Sequence, residues 1–109
     1  MFKANNANQV LFLKNQLKNL KKGRDESVQS YFLTLTEIRN NLLAIGKTIA
    51  DREMVLTALG GLSSAWHVFN TTIVNNNVIP NFDEVLSRCI QEETRMKEYE
   101  NEENVAFTA

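Results

Sequence analysis

Apolar residues that recur every three or four positions constrain this chain more than any other feature. Val28, Tyr31, Leu35, Ile38, Leu42 and Ile45 make the longest such series, with Gln29, Ser30, Thr34, Glu37 and Asn41 lying between them. A helix puts side chains three and four apart on one face, whereas a strand alternates with period two. The series therefore predicts an amphipathic helix with one dry side. Asp25, Glu26 and Ser27 supply a cap and an acidic first turn for it, and Gly46 closes it. Phe32 and Leu43 sit beside the stripe and suggest a second contact surface.

The same spacing extends in both directions. Val10, Leu13, Leu17 and Leu20 predict a first helix from about Asn6 to Lys21, ended by Gly23 in a left-handed cap. Leu11 and Phe12 fall off its stripe. Ala50 to Leu59 reads as a short third helix, with Val55, Leu59 and Leu62 directed to the core and Gly60-Gly61 as its stop. A fourth runs from a cap at Ser63 or Ser64 to about Asn75, carrying Trp66, Phe69 and Ile73 on one face. Asn75-Asn76-Asn77 and Pro80 then break the chain. Asn81 with Glu84 forms a capping box for a fifth helix, whose buried side is traced by Phe82, Val85, Leu86, Cys89, Ile90, Glu93 and Met96. Beyond Tyr99 the sequence turns acidic and aperiodic, reading as a tail or linker. One proline and four glycines in 109 residues leave few other stops. The expectation is an all-α, five-helix bundle.

Chemistry finds little purchase in this inventory. His67 is the single histidine, beside Trp66, and reads as a boundary residue. Cys89 falls on an apolar stripe, where cysteines are inert packing groups. One cysteine makes neither an intrachain disulfide nor a zinc knuckle, and it suits a reducing compartment. Glu92 and Glu93 are adjacent on a helix and point in different directions, so they do not build an acid/base pair. Gly60-Gly61 lacks the lysine and hydroxyl residue of a phosphate loop. The expectation is a non-enzymatic protein without cofactor or metal. With no signal peptide and no long apolar stretch, a soluble cytoplasmic protein is expected.

Formal charge is −1, which argues against a dedicated nucleic-acid surface, since neutralising phosphates needs a cationic excess. Two local exceptions read first as solvated faces. One is the basic run Lys14, Lys18, Lys21, Lys22 and Arg24; the other is the acidic stretch Glu98, Glu100, Glu102 and Glu103.

The segment Lys22 to Tyr31 resembles the major homology region of retroviral and retrotransposon capsids, through Gly23, Glu26, Val28, Tyr31 and then Leu35. Its context resembles the copia-type LTR retrotransposon Gag polyprotein, especially of plants. The carriers are Leu13, Leu17, Leu20, then Leu42, Gly46, Asp51, Val55, Leu59 and Gly61-Leu62, with Phe82-Asp83-Glu84-Val85-Leu86 and Gln91 to Arg95 completing the series. The likeness spans about Ala7 to Met96. It implies a domain similar to the retroviral capsid C-terminal domain at 23–100, preceded by an extra helix or arm at 1–22 and followed by an acidic tail at 101–109. It also implies self-association, homodimeric or higher, within virus-like particles, and RNA packaging through flanking Gag regions. Lys22 and Thr34 depart from the glutamine and arginine of retroviruses. A partial buried network is therefore expected, its role passing to a Glu26 carboxylate that caps its own helix. The missing knuckle and enzymes suggest a cut-out or domesticated domain.

Assembly has a physical basis in surplus apolar surface. Beyond the expected core of Leu13, Leu17, Leu20, Ile38, Leu42, Val55, Leu59, Leu62, Trp66, Phe69, Val85, Leu86 and Cys89, the chain carries Phe32, Leu43, Leu11, Phe12, Met54 and Ala58. Met54 and Ala58, with Ile49, suggest a two-fold patch on the third helix, which corresponds by resemblance to the retroviral dimerisation helix. Closure of the monomer core by these residues is the competing reading. Leu11 and Phe12, or exchange of the whole first helix about Gly23, offer a second route. The alternative function is a domesticated adaptor that grips a protein or peptide between Trp66 and Phe69. RNA binding through the first-helix lysines is a third class, recognisable by steep salt dependence.

Overall fold

The computed structural model describes the backbone of residues 2–108 and the side chains of residues 7–98. Among these residues there are five α-helices and no strand: α1 Phe2–Asn19, α2 Val28–Ala44, α3 Asp51–Gly60, α4 His67–Val74 and α5 Phe82–Thr108, with a 3₁₀ turn at Ser64–Trp66 entering α4. The all-helical, five-helix expectation holds.

Helix α2 is the centre of the bundle, and its sequence explains why. Val28, Tyr31, Leu35 and Leu42 are at most 1% exposed, and Ile38 is buried beside them. Phe32 belongs to the same dry side, stacking edge-on against Tyr31 and tilted on Phe82 of α5 at 5.1 Å between centroids. Helices α1 and α5 both pack on α2, and α3 packs on α2 and α5. Leu17 of α1 lies in the same cluster as Val55, Leu59, Trp66, Val85 and Cys89. Val10, Leu13, Leu20, Leu62, Phe69, Leu86, Ile90 and Met96 close its rim, partly buried. Each fully buried side chain of this size contributes roughly 1.5–3 kcal/mol relative to exposure, so α2 with its partners carries most of the stability.

The ends of the helices follow their local chemistry. Ser27 caps α2, its hydroxyl accepting the Ser30 N–H at 3.1 Å. The other end closes in a Schellman motif: the Gly46 N–H reaches the Leu43 carbonyl and the Lys47 N–H the Leu42 carbonyl, with Gly46 at φ +90°. Asn81 accepts the Glu84 N–H at 2.8 Å, as a capping box requires. The reciprocal half is missing, because the Glu84 carboxylate pairs with Arg88 one turn on. Asp51 of α3 satisfies a different donor at this end, accepting the N–H of Phe82, the first residue of the helix, at 2.9 Å.

Four boundaries differ from the sequence reading. Helix α1 spans Phe2–Asn19, so it starts earlier and stops before Gly23. Gly23 has no positive φ and makes no left-handed cap; its N–H is held instead by the Glu26 carboxylate at 3.0 Å. Neither Ser63 nor Ser64 caps α4 through its side chain, since a 3₁₀ turn intervenes. Helix α5 continues past Tyr99 to Thr108 rather than giving way to an aperiodic tail at 101–109. Glutamate and alanine are good helix formers, and acidic character alone does not break a helix.

Candidate assembly surface

The segment from Lys22 to Tyr31 joins three helices by polar contacts. The Glu26 carboxylate takes the Gly23 N–H through one oxygen and the Ser30 hydroxyl at 3.4 Å through the other. It does not cap its own helix, contrary to expectation; Ser27 does. The first N–H of α2, on Val28, donates 3.1 Å to the Glu93 carboxylate of α5, which also lies 3.8 Å from the Lys22 ammonium. A carboxylate at a helix N-terminus meets the positive end of the dipole. Glu93 was legible as a residue on the buried side of α5, but its partner lies 65 positions away and no local pattern reveals it.

Behind this segment, Lys22 donates its N–H to the Gly61 carbonyl at 2.9 Å. The buried Tyr31 hydroxyl donates to the Ala58 carbonyl at 2.9 Å. A Cβ on Gly61 would stand 1.9 Å from that hydroxyl oxygen and 2.7 Å from the Leu20 carbonyl. Glycine is therefore required at 61 for close approach, and not for a left-handed turn. Burial pushes the Tyr31 phenol up to about 12, helped by the nearby Glu26 charge. Valine 28, Tyr31 and Leu35 thus serve the core, while Gly23 and Glu26 fasten the α1–α2 connection. The joint expected to let α1 swing free is tied down through Lys21, Lys22 and Gly23.

The apolar patch expected on the third helix does not reach the surface. Met54 and Ala58 are 0% exposed and Ile49 is buried as well, so the patch proposed from the sequence is corrected. They close the monomer core, because α3 faces both α2 and α5 and its apolar residues are needed on two sides. Trp66, at 4% exposure, is likewise core and stacks edge-on with Phe69. Phe69 is only partly buried and lines a shallow cleft with Thr72, Arg95 and Met96. Trp66 instead borders a separate cleft with Lys22, Arg24, Glu93 and Met96, so the two aromatic residues do not line one groove together.

The apolar surplus emerges elsewhere. Leu11 and Phe12 of α1 are 61% and 63% exposed. Leu43, flagged beside the α2 stripe, is also exposed, whereas Phe32 is not. Leu33, Leu56, Val68, Val74 and Val78 are exposed too and were not singled out. Leu33 could have been found: it lies opposite Tyr31 and Leu35 on the helical wheel. Around α1, Val10, Leu13 and Leu17 turn inward, while Leu11, Lys14 and Lys18 follow one another at spacings of three and four along the flank of that stripe, Leu11 and Lys18 exposed and Lys14 half-buried.

Among the described residues no group of histidine, cysteine and carboxylate side chains is placed to hold a metal ion. Cys89 is fully buried, and desolvation, with Glu93 and Glu92 nearby, pushes its thiol up to about 12, far from a nucleophile's range. No helix among the described residues is long and apolar enough to cross a membrane. A protein-family model described as the gag-polypeptide of LTR copia-type matches residues 1–102.

The chain belongs to the copia-type Gag family. The match covers α1 to α4 and most of α5. Gag polypeptides of this kind are structural, non-enzymatic proteins of retrotransposon particles. No curated protein and no solved structure matches the chain.

Proposed function

We propose that this Gag region is a self-associating capsid module that contributes to the assembly of retrotransposon virus-like particles in the cytoplasm, its partner being another copy of itself. The observation that carries the reading is the pair Leu11 and Phe12, more than half exposed on a helix whose other side is committed to the core. Two adjacent large apolar side chains held outward by a rigid helix are what a partner surface is built from. The contact surface is thus the outward side of α1, and the role first assigned to the third helix passes to the first.

Particles assemble through many weak contacts, because reversible contacts correct misplacement. A dissociation constant between millimolar and micromolar, about −4 to −8 kcal/mol, suits each one. Sedimentation velocity from micromolar to millimolar protein tests this. The native chain gains mass with concentration, and Leu11→Ser/Phe12→Ser stays monomeric while keeping its helicity. A native chain that sediments as a monomer throughout would refute the proposal.

A further inference from the structure

The two ends of this chain carry opposite charge. Before Asp25 there is no acidic residue, while Lys3, Lys14, Lys18, Lys21, Lys22 and Arg24 are basic. After Lys97 there is no basic residue, while Glu98, Glu100, Glu102 and Glu103 are acidic. The second run is carried on the continuous helix α5, which extends to Thr108. The one ion pair between the basic segment and α5 among the described residues joins Lys22 to Glu93. Lys14, Lys18 and Glu98 take part in no ion pair there, and the other two pairs lie within α5 itself.

From this we infer that copies of the chain associate head to tail, the outward side of α1 on one copy receiving the acidic C-terminal stretch of α5 from the next. The inference rests on the self-association reading and adds the partner surface and the symmetry. Leu11 supplies an apolar anchor, and Lys14 and Lys18, three and seven residues on, lie along the same side of α1. A second copy is the occupant because the chain carries the complement of its own basic surface. A nucleic acid would use the lysines and leave the acidic run without a role. Since the two surfaces differ, the contact is heterologous, and such contacts propagate into rings or open chains instead of stopping at a two-fold dimer.

Charge exchange tests this on the full chain, freed of nucleic acid by nuclease. One variant is Lys14→Glu/Lys18→Glu and the other is Glu98→Lys/Glu102→Lys. Each alone repels its own kind, so its apparent dissociation constant rises about tenfold or more over the native chain. An equimolar mixture restores association, because the acidic α1 of the first variant now faces the basic α5 end of the second, and the second's native α1 faces the first's native α5 end. Circular dichroism melting confirms that each variant is folded. If either is not, the neutral pair Lys14→Gln/Lys18→Gln and Glu98→Gln/Glu102→Gln replaces them, each expected to weaken association and to remove its salt dependence. Native association that is indifferent to these changes would overturn the head-to-tail contact while leaving the capsid reading intact. A mixture no better associated than its components would also overturn it, as would association that disappears with nuclease. A native chain that never associates would remove both.

Discussion

Met54 shows most clearly what a single residue's setting decides. By sequence it sits beside the α3 stripe and is available to a partner; in the fold it is 0% exposed, between α2 and α5. Met54→Asp therefore places a charge in a closed core. Loss of the buried side chain alone costs about 2–5 kcal/mol, and an unpaired charge in the closed core adds to it, against a total stability of roughly 5–15 kcal/mol for a domain. Circular dichroism will show the variant unfolded, whereas an interface residue would leave helicity intact. Tyr31 and Cys89 give a second residue-scale expectation. Both protons are held more tightly in the fold, where the phenol and the thiol titrate near 12, than in the unfolded chain, where they leave around their ordinary values of 10.0 and 9.0. The stability they contribute is complete below about pH 9 and is lost as pH rises toward 12. Alkaline titration of the unfolding free energy should fall through that window, and Tyr31→Phe should flatten it. A thiol reagent at pH 8 should leave Cys89 unmodified until the protein unfolds.

At the scale of elements, much was legible because local patterns dominate. The α2 stripe, the Ser27 cap, the Gly46 stop and the Asn81 cap were all readable from spacing and residue type. What escaped was tertiary. Asp51 reads as a first-turn acid of α3, and its role at the start of α5 comes from 31 positions away. Gly61 reads as a helix stop, and its necessity comes from the Tyr31 hydroxyl. Phe32 and Leu43 lie on nearly the same line of α2, so the split between them depends on how far along the helix its neighbours reach, which periodicity alone does not reveal. The same limit explains why the expected exposure holds for Leu11 and Phe12 and fails for Met54, Ala58 and Ile49. One element-scale prediction isolates a local device. Gly46→Ala meets open space but forces a left-handed backbone on an L side chain, at a cost of roughly 1–2 kcal/mol. The melting temperature should fall by roughly 5 °C or more, with self-association unchanged.

Taken as a whole molecule, the chain uses its apolar residues in two separate ways. Helices α2, α3 and α5 close a core that includes the third helix, and α1 lends one side to that core while turning Leu11 and Phe12 outward. The contacts of Lys22 and Gly23 fix α1 against this core, so a partner meets a rigid surface that needs little ordering on binding. Hydrogen exchange read by mass spectrometry, at micromolar and at near-millimolar protein, tests this division most directly. Residues 7–19 should gain protection as concentration rises, while 51–60 stay as protected as they already are in the monomer. Protection that grows at 51–60 and not at 7–19 would contradict the account.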